Sequence, residues 1–346
     1  SARKSIASGR KPSKRDVAGG MTDPALRSVV AGRCEGILPR VSTLPLRVSA
    51  RLPSAARESI LTWYAERGRP LAFRRTSDPY AILVSEAMAQ QTQAARAAEY
   101  WERFMVRFPT VEDLAAATPA DVLRAWAGLG YDRRALALWR SARVIVERHG
   151  GQVPGEIAAL EALPGVGPYT ARAVAALAYG LPVGAVDVNV RRVLGRIVAG
   201  DPGRLRASEL QVVADDAVPR DQPGTWTHAV MDVGATLCRL ARPRCEACPA
   251  RPWCRFAADA PADAPRPPAH RTGESPAPFA STNRWLRGRI LDRLRAVDGD
   301  GWTTLDGPIG DPPLPAVLGA ARAMAADGVL ELRDTDGSTM VRLPLG

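Results

Sequence analysis

A glycine-rich turn between two helical patterns constrains the fold of this chain most strongly. The segment 163–171 reads Leu-Pro-Gly-Val-Gly-Pro-Tyr-Thr-Ala. Apolar residues recur at helical spacing over 156–163, and an alanine-rich helical run follows over 170–179. Gly165 and Gly167 allow positive φ and let another backbone come close. The sequence therefore predicts two helices joined by a tight turn.

The start of the second helix is a candidate anion site. Pro168 stands at the first helical position, where no backbone donor is missed. The free N–H groups at a helix N-terminus attract phosphate. We expect the backbone amides of Gly165, Gly167 and Tyr169 to be the phosphate ligands. Such contacts would grip a phosphodiester without reading its sequence.

Four of the five cysteines fall in one short segment with the spacing C-x6-C-x2-C-x5-C. Cysteines clustered in this way in a large chain indicate metal binding rather than disulfides. Four thiolates in so short a loop suit a cubane [4Fe-4S] cluster, with zinc as the alternative. Its predicted role is structural, clamping a loop that carries several arginines. Those arginines could meet phosphates or simply balance thiolate charge. The candidate ligands are Cys238, Cys245, Cys248 and Cys254.

The rest of the sequence predicts an all-α body followed by a small α+β domain. Strand signals are nearly absent before residue 257, and an Ala/Pro/Asp-rich stretch then reads as a linker. Two amphipathic helical patterns and a terminal hairpin signal resemble a winged-helix module. The predicted domains are a basic leader over 1–51, the body over 52–257, the linker over 258–283 and the C-terminal domain over 284–346.

Basic charge is concentrated in the leader. The net charge is +11, and all three lysines, Lys4, Lys11 and Lys14, lie within the first 51 residues. We interpret this segment as a disordered arm that strengthens binding to a polyanion, or as an expression remnant with Met21 as the true start. A body without lysine excludes Schiff-base chemistry by a lysine side chain. No run has the length of a membrane span. The Ala/Arg-rich composition suggests the coding bias of a high-GC bacterium, and we expect a cytoplasmic, nucleoid-associated protein.

The motifs together resemble a known superfamily. The hairpin, an acidic residue about twenty positions later and the cysteine spacing are similar to the helix–hairpin–helix DNA glycosylases with an iron–sulfur loop, over about residues 52–257. Residues 85–93, Ser-Glu-Ala-Met-Ala-Gln-Gln-Thr-Gln, resemble the S-E-x-M-L-Q-Q-T-Q segment of the A/G-specific adenine DNA glycosylases, the MutY family. Gly-Leu-Gly-Tyr at 128–131 resembles that family's turn.

Two positions distinguish the branch within that superfamily. Glycosylase/lyases of the endonuclease III type carry lysine where this chain has Tyr169, and related thymine mismatch glycosylases lack the glutamate that corresponds to Glu86. The resemblance therefore implies a monofunctional glycosylase that removes adenine opposite 8-oxoguanine or guanine.

The chain departs from the family pattern at two places. The family's frequent D-G-N becomes Asp-Val-Asn at 187–189. The segment after the linker is shorter than the Nudix-like domain with which many members verify 8-oxoguanine.

The residues themselves agree with that chemistry. Breaking an adenine–sugar bond needs one carboxyl that donates a proton and one that stabilises an oxocarbenium ion. Glu86 lies in an apolar stretch, where burial favours the protonated form. Asp187 is predicted to cap a helix, where backbone N–H groups favour the anion. Taken alone, the two could equally be an exposed edge residue and a plain cap.

DNA must also be opened, because a glycosylase cannot reach a stacked base. Gln91 and Tyr131 match positions that wedge into the duplex in this family, and Tyr169 is placed to contact the flipped nucleotide. Without the resemblance, Gln91 would read as a surface amide and Tyr131 as a core residue.

We therefore predict a monomeric iron–sulfur adenine glycosylase that binds double-stranded DNA containing a mismatched or lesion pair, with no membrane partner. A six-helix unit over about 76–183 should form one lobe, with 52–75 and 184–257 forming the other. The flipped adenine should lie between them. Alternatives are a glycosylase of the same fold with another target base and a non-catalytic iron–sulfur DNA-binding protein.

Overall fold

The computed structural model describes residues 51–259, 279–297, 299, 301–335 and 337–346. All but the last residue of the leader predicted over 1–51, and most of the linker predicted over 258–283, lie outside these residues. Between them the described body is helical, as the sequence predicts. Its helices are α1 (Ser54–Arg67), α2 (Pro79–Ala89), α3 (Ala94–Arg107), α4 (Val111–Ala116), α5 (Pro119–Ala125), α6 (Arg133–His149), α7 (Ile157–Glu161), α8 (Pro168–Tyr179), α9 (Val188–Ala199), α10 (Ala207–Ala217), α11 (Pro223–Asp232) and α12 (Arg255–Asp259).

Local signals set most of these helix ends. Asp78 caps α2 by accepting hydrogen bonds from the next backbone amides, and Pro79 occupies the first helical position. The long helix α6 ends at Gly150, which adopts the left-handed conformation at φ 59°. Both ends follow from local sequence signals, a capping residue before proline and a glycine after the last helical residue.

The sequence also predicts one continuous helix from Tyr80 to Arg96, and this prediction is wrong at its C-terminal end. The chain leaves the helix after Ala89 and re-enters one at Ala94. Between them Gln91 has φ 54°, a conformation that non-glycine residues rarely adopt. The residues that resemble the family's Q-Q-T-Q therefore form a turn rather than a helix surface.

The hairpin consists of α7, a turn over 163–167 and α8. Gly165 has φ 77°, and a Cβ atom there would come within 2.6 Å of the Cβ of Ala137, so no other residue fits without a shift. Gly167 behaves differently from the expectation. Its φ is −100° and a Cβ atom there would meet nothing within 4 Å. Its missing side chain matters only for what approaches from outside.

Two buried cores underlie the body. One contains α2 to α8, with Phe104, Trp126 and Leu136 among its largest members. The other joins α1 to α9, α10 and α11, around Ile60, Leu194 and others. Because α2 belongs to the first core and α9 to the second, a side chain from each can face the other where the cores meet.

The C-terminal domain adds two helices and a small sheet to the first core. They are α13 (Asn283–Arg295), β1 (Thr303–Thr304), α14 (Leu314–Ala326), β2 (Glu331–Thr335) and β3 (Ser338–Arg342). The strands are antiparallel in the order β1-β3-β2, and Leu332 pairs with Val341. The hairpin was predicted and β1 was not. Within the described residues, no helix is long and apolar enough to cross a membrane.

Candidate active site

Glu86 is buried near the end of α2, with 7% of its surface exposed. Burial raises the pKa of its carboxyl to about 7, and the nearby charge of Asp187 acts in the same direction. A hydrogen bond from Tyr169 and the charge of Arg74 oppose this rise without cancelling it. A carboxyl in this position holds its proton near neutral pH and can donate it.

Asp187 is the N-cap of α9, as predicted. Its Oδ1 accepts hydrogen bonds from the backbone amides of Asn189 at 2.9 Å and Val190 at 2.7 Å. The Asn189 side chain donates to the other oxygen at 2.8 Å. These donors stabilise the anion. The aspartate is half-buried, so a negative charge is held at the edge of the site that contains Glu86.

Tyr169, the second residue of α8, completes the group. Its hydroxyl contacts the Glu86 carboxyl and lies 3.7 Å from the sulfur of Met231. Burial, followed by the charges of Glu86 and Asp187, raises the pKa of this phenol well above its usual value. The structure thus brings together three of the predicted site residues, one each from α2, α8 and α9.

A buried ion-pair network supports this site, and the sequence analysis missed it. Asp232 on α11 is fully buried and accepts two hydrogen bonds from the Arg74 guanidinium, both at 2.8 Å. The backbone N and side-chain Nε of Arg69 also donate to it, at 2.8 and 2.7 Å. Arg74 is the cation whose charge reaches Glu86. No local pattern distinguishes Asp232 from a solvated helix residue.

The two predicted wedge residues lie apart from this group, in a separate cleft. Gln91 and Tyr131 both line it, as does Gly165 of the hairpin. Tyr131 is 42% exposed and, like Gln91, has a positive φ, of 52°. Exposure of the ring excludes the alternative of a core tyrosine.

Arg134 holds both turns that carry a predicted wedge residue, the Gln91 turn and the Tyr131 turn, which we call the wedge turns. Nothing in the local sequence of Arg134 predicts this role. Its guanidinium donates to the carbonyl oxygens of Ala87 at 3.0 Å and Met88 at 3.1 Å, and also to that of Gln90. The other nitrogen donates to the carbonyl oxygen of Gly130 at 3.0 Å. A single side chain therefore fixes the carbonyls that precede Gln91 and Tyr131.

The four clustered cysteines line one pocket beneath α9. A turn of π-helix over Val233–Leu237 follows α11, and the Cys238 amide donates to the Val233 carbonyl at 2.7 Å. Burial raises the pKa of the Cys248 thiol to about 11, and the three neighbouring sulfurs add to the rise. The described residues contain no group of three Cys, His, Asp or Glu side chains gathered closely enough for a single metal ion.

A buried arginine faces these sulfurs. Arg196 is 7% exposed, and its guanidinium lies 3.4 Å from the sulfur of Cys238. It also donates to the carbonyl oxygens of Arg239 at 2.8 Å and Leu240 at 3.1 Å, which ties the cysteine segment to α9. A buried cation beside four thiols suits a site whose sulfurs carry negative charge.

Comparisons with known proteins agree with this fold. The sequence model described as "HhH-GPD superfamily base excision DNA repair protein" matches residues 84–213. The adenine DNA glycosylase of Mycobacterium tuberculosis is 44% identical over 249 residues, which span 69% of this chain and 78% of that protein. The human adenine DNA glycosylase is 41% identical over 214 residues, spanning 58% of this chain and 39% of that protein.

Solved structures show the same architecture. A thermostable thymine-DNA glycosylase is 30% identical, with a TM-score of 0.56 over 59% of this chain and 95% of that one. Endonuclease III in a non-covalent complex with DNA is 22% identical, with a TM-score of 0.51 over 58% and 93% of the two chains. The second likeness is one of fold.

Fold, hairpin and motif together define the class, which is the helix–hairpin–helix base excision repair proteins. Similarity to the mycobacterial enzyme extends over more than three quarters of that protein. The chain belongs to the adenine DNA glycosylase family.

Proposed function

We propose that this chain is a monofunctional DNA glycosylase that hydrolyses the N-glycosidic bond of adenine mispaired with 8-oxoguanine or guanine. The observation that carries the proposal is that one site holds a buried Glu86, whose carboxyl has its pKa raised to about 7, and Asp187, which accepts the capping hydrogen bonds of α9. The protein acts on duplex DNA in the cytoplasm of a bacterium, as a monomer. The hairpin amides of Gly165, Gly167 and Tyr169 hold the backbone, and Gln91 and Tyr131 enter the duplex.

The proposed reaction needs two steps. Glu86 gives its proton to N7 of adenine, the bond between C1′ and N9 breaks, and the neutral base leaves. Asp187 stabilises the resulting oxocarbenium ion by its negative charge. Glu86, now a carboxylate, then removes a proton from water as the oxygen adds to C1′, which restores the acid. Tyr169 stands where a lyase would carry its lysine, so no covalent amine adduct forms.

This assignment fixes the pH dependence. Glu86 must be protonated to act as the acid, and the pKa of its carboxyl is about 7. The single-turnover rate should therefore be level at lower pH and fall about tenfold per pH unit above pH 7. Rates measured at saturating enzyme, with duplex binding checked at each pH, test this. A rate that stays constant or rises between about pH 7 and about pH 9 contradicts the role of Glu86 as the acid.

We also propose that Cys238, Cys245, Cys248 and Cys254 hold a [4Fe-4S] cluster. The support is their spacing, their common pocket and the buried Arg196 beside them. Bound, the cluster would supply structural cross-linking of the segment rather than chemistry at the base. Iron and acid-labile sulfide should each be present at about four per chain, whereas one zinc per chain and no sulfide would contradict the assignment.

A panel of duplexes tests the proposed substrate. Adenine should be excised opposite guanine and opposite 8-oxoguanine, and left in place opposite thymine. Likeness to a thymine-DNA glycosylase makes thymine opposite guanine the informative competitor. Strands read after alkaline cleavage report each outcome. Thymine release without adenine release would contradict this proposal and support the alternative, a glycosylase of the same fold with another target base.

A further inference from the structure

The C-terminal domain is fixed against the first core beside the Tyr131 turn. Arg295 of α13 pairs with Asp132 at 2.7 Å, in an ion pair whose side chains are 12% and 17% exposed. Asp327, which follows α14, accepts from Arg133 of α6 at 3.1 Å and from Arg287 of α13 at 2.6 Å. Apolar residues of α13 and α14 belong to the first core itself. These ion pairs and the shared core hold α13 beside the turn that contains Tyr131.

A cleft of about 1390 Å³ opens between α13 and the two wedge turns. Small-molecule pockets are about 300–1,000 Å³, so this cleft suits part of a polymer better. Glu86, Asp187 and Tyr169 are not among its lining residues. The cleft thus offers surface for DNA other than the flipped base.

Some of the arginines that line this cleft form ion pairs with carboxylates, and others do not. Arg133, Arg287, Arg289 and Arg295 each pair with a carboxylate. Among the described residues, no carboxylate lies within ion-pairing distance of the other four cations of the lining, which are Arg96, Arg134, Arg140 and Arg284. Uncompensated cations that line a cleft favour a polyanion.

Arg284, in the first turn of α13, lies over the ring of Tyr131. Its guanidinium lies 4.4 Å from the centre of the Tyr131 ring and donates to the Tyr131 hydroxyl at 3.2 Å. Such stacking leaves the remaining guanidinium donors free for a phosphate oxygen. The guanidinium of Arg134 lies 5.4 Å from the centre of the same ring.

We propose that α13 forms the second wall of the DNA cleft and that Arg284 binds a backbone phosphate while it positions Tyr131. This inference rests on the DNA binding in the proposed function and assigns a role to the C-terminal domain. The C-terminal domain thus forms part of the surface that binds the duplex, and it acts on Tyr131 through the side chain of Arg284. Arg284 is a binding and positioning residue, and the reacting groups remain Glu86 and Asp187.

The test compares Arg284→Ala with Arg293→Ala. Arg293 lies on the same helix, is exposed and does not line the cleft. Binding to an undamaged duplex is measured by fluorescence anisotropy at several salt concentrations. Loss of one phosphate contact should weaken binding several-fold and lower the slope of log K against log salt by about 0.9. Arg293→Ala should match the unmodified chain, and Arg284→Lys should restore the slope, because lysine keeps the charge.

Adenine excision opposite guanine is measured on the same proteins. Arg284→Lys should excise more slowly than the unmodified chain, because lysine cannot reproduce the planar stacking on Tyr131. If Arg284→Ala and Arg293→Ala show the same affinity and slope, the proposal is overturned, while excision by the unmodified chain still supports the proposed function. If the unmodified chain excises no adenine but Arg284→Ala alone lowers the slope of log K against log salt, the proposed function fails, while the proposal that α13 binds DNA is supported.

Discussion

Glu86→Gln should reduce adenine excision by about 10,000-fold, the upper end of what a general acid–base residue contributes. The glutamine cannot supply the proton to N7 or accept one from water, so both steps lose the same group. Affinity for the mismatched duplex should change by no more than about twofold, because contacts to phosphate, not Glu86, position the DNA. Single-turnover excision and anisotropy measure the two quantities separately.

Stability is the necessary control for this substitution. The pKa of the Glu86 carboxyl is about 7 in the folded chain, against 4.5 as its ordinary value. Its contribution to the stability of the fold is therefore fully present below pH 4.5 and is lost as the pH rises through 7. A neutral glutamine removes that loss, and the variant should unfold at the same temperature or higher near pH 8. Glu99→Gln, at an exposed position on α3, should excise normally. Residual excision within tenfold of the unmodified chain would refute the acid role.

Asp232→Asn should produce the largest loss of stability, about 3–5 kcal/mol, because it leaves the buried Arg74 guanidinium and the partly exposed Arg69 guanidinium without their anion. Burial alone would raise the pKa of Asp232, but hydrogen bonds and charge from Arg74 and Arg69 outweigh it and lower the pKa. Its stabilising effect is therefore present at neutral pH and is lost as pH falls through that lowered value.

Urea unfolding of the variant and of Asp216→Asn measures this difference. Asp216 makes a 3.6 Å pair with Arg51, whose side chain is 77% exposed, so its replacement should cost less than about 1 kcal/mol. Equal losses in the two variants would show that the buried network contributes no more than a surface pair. Since the charge of Arg74 also acts on Glu86, the pH dependence of adenine excision should shift in Asp232→Asn as well.

Local signals in the sequence predicted what local physics decides. Asp187 was predicted as a cap, and the structure confirms its bonds to the amides of Asn189 and Val190. The cysteines were predicted as one group because fewer than twenty residues separate the first from the last. The left-handed Gly165 follows from its place in a tight turn.

Long-range contacts decided what the sequence could not predict. Glutamines follow Ala89 and an alanine-rich run begins at Ala94, so helix propensity gives little reason for a break. Arg134, 44 residues further along, draws the Gln90 carbonyl out of the helical ladder. Asp232 was missed for the same reason, since its partner Arg74 lies 158 residues away. Both are side chains that join distant elements near the candidate site.

The most direct test of the central claim is the release of free adenine. A duplex with adenine opposite 8-oxoguanine is incubated with excess enzyme, and the liberated base is measured by chromatography. We predict one adenine per duplex from the unmodified chain, none from Glu86→Gln, and a strand that stays intact until alkali is added. Absence of free adenine opposite both 8-oxoguanine and guanine would contradict the account.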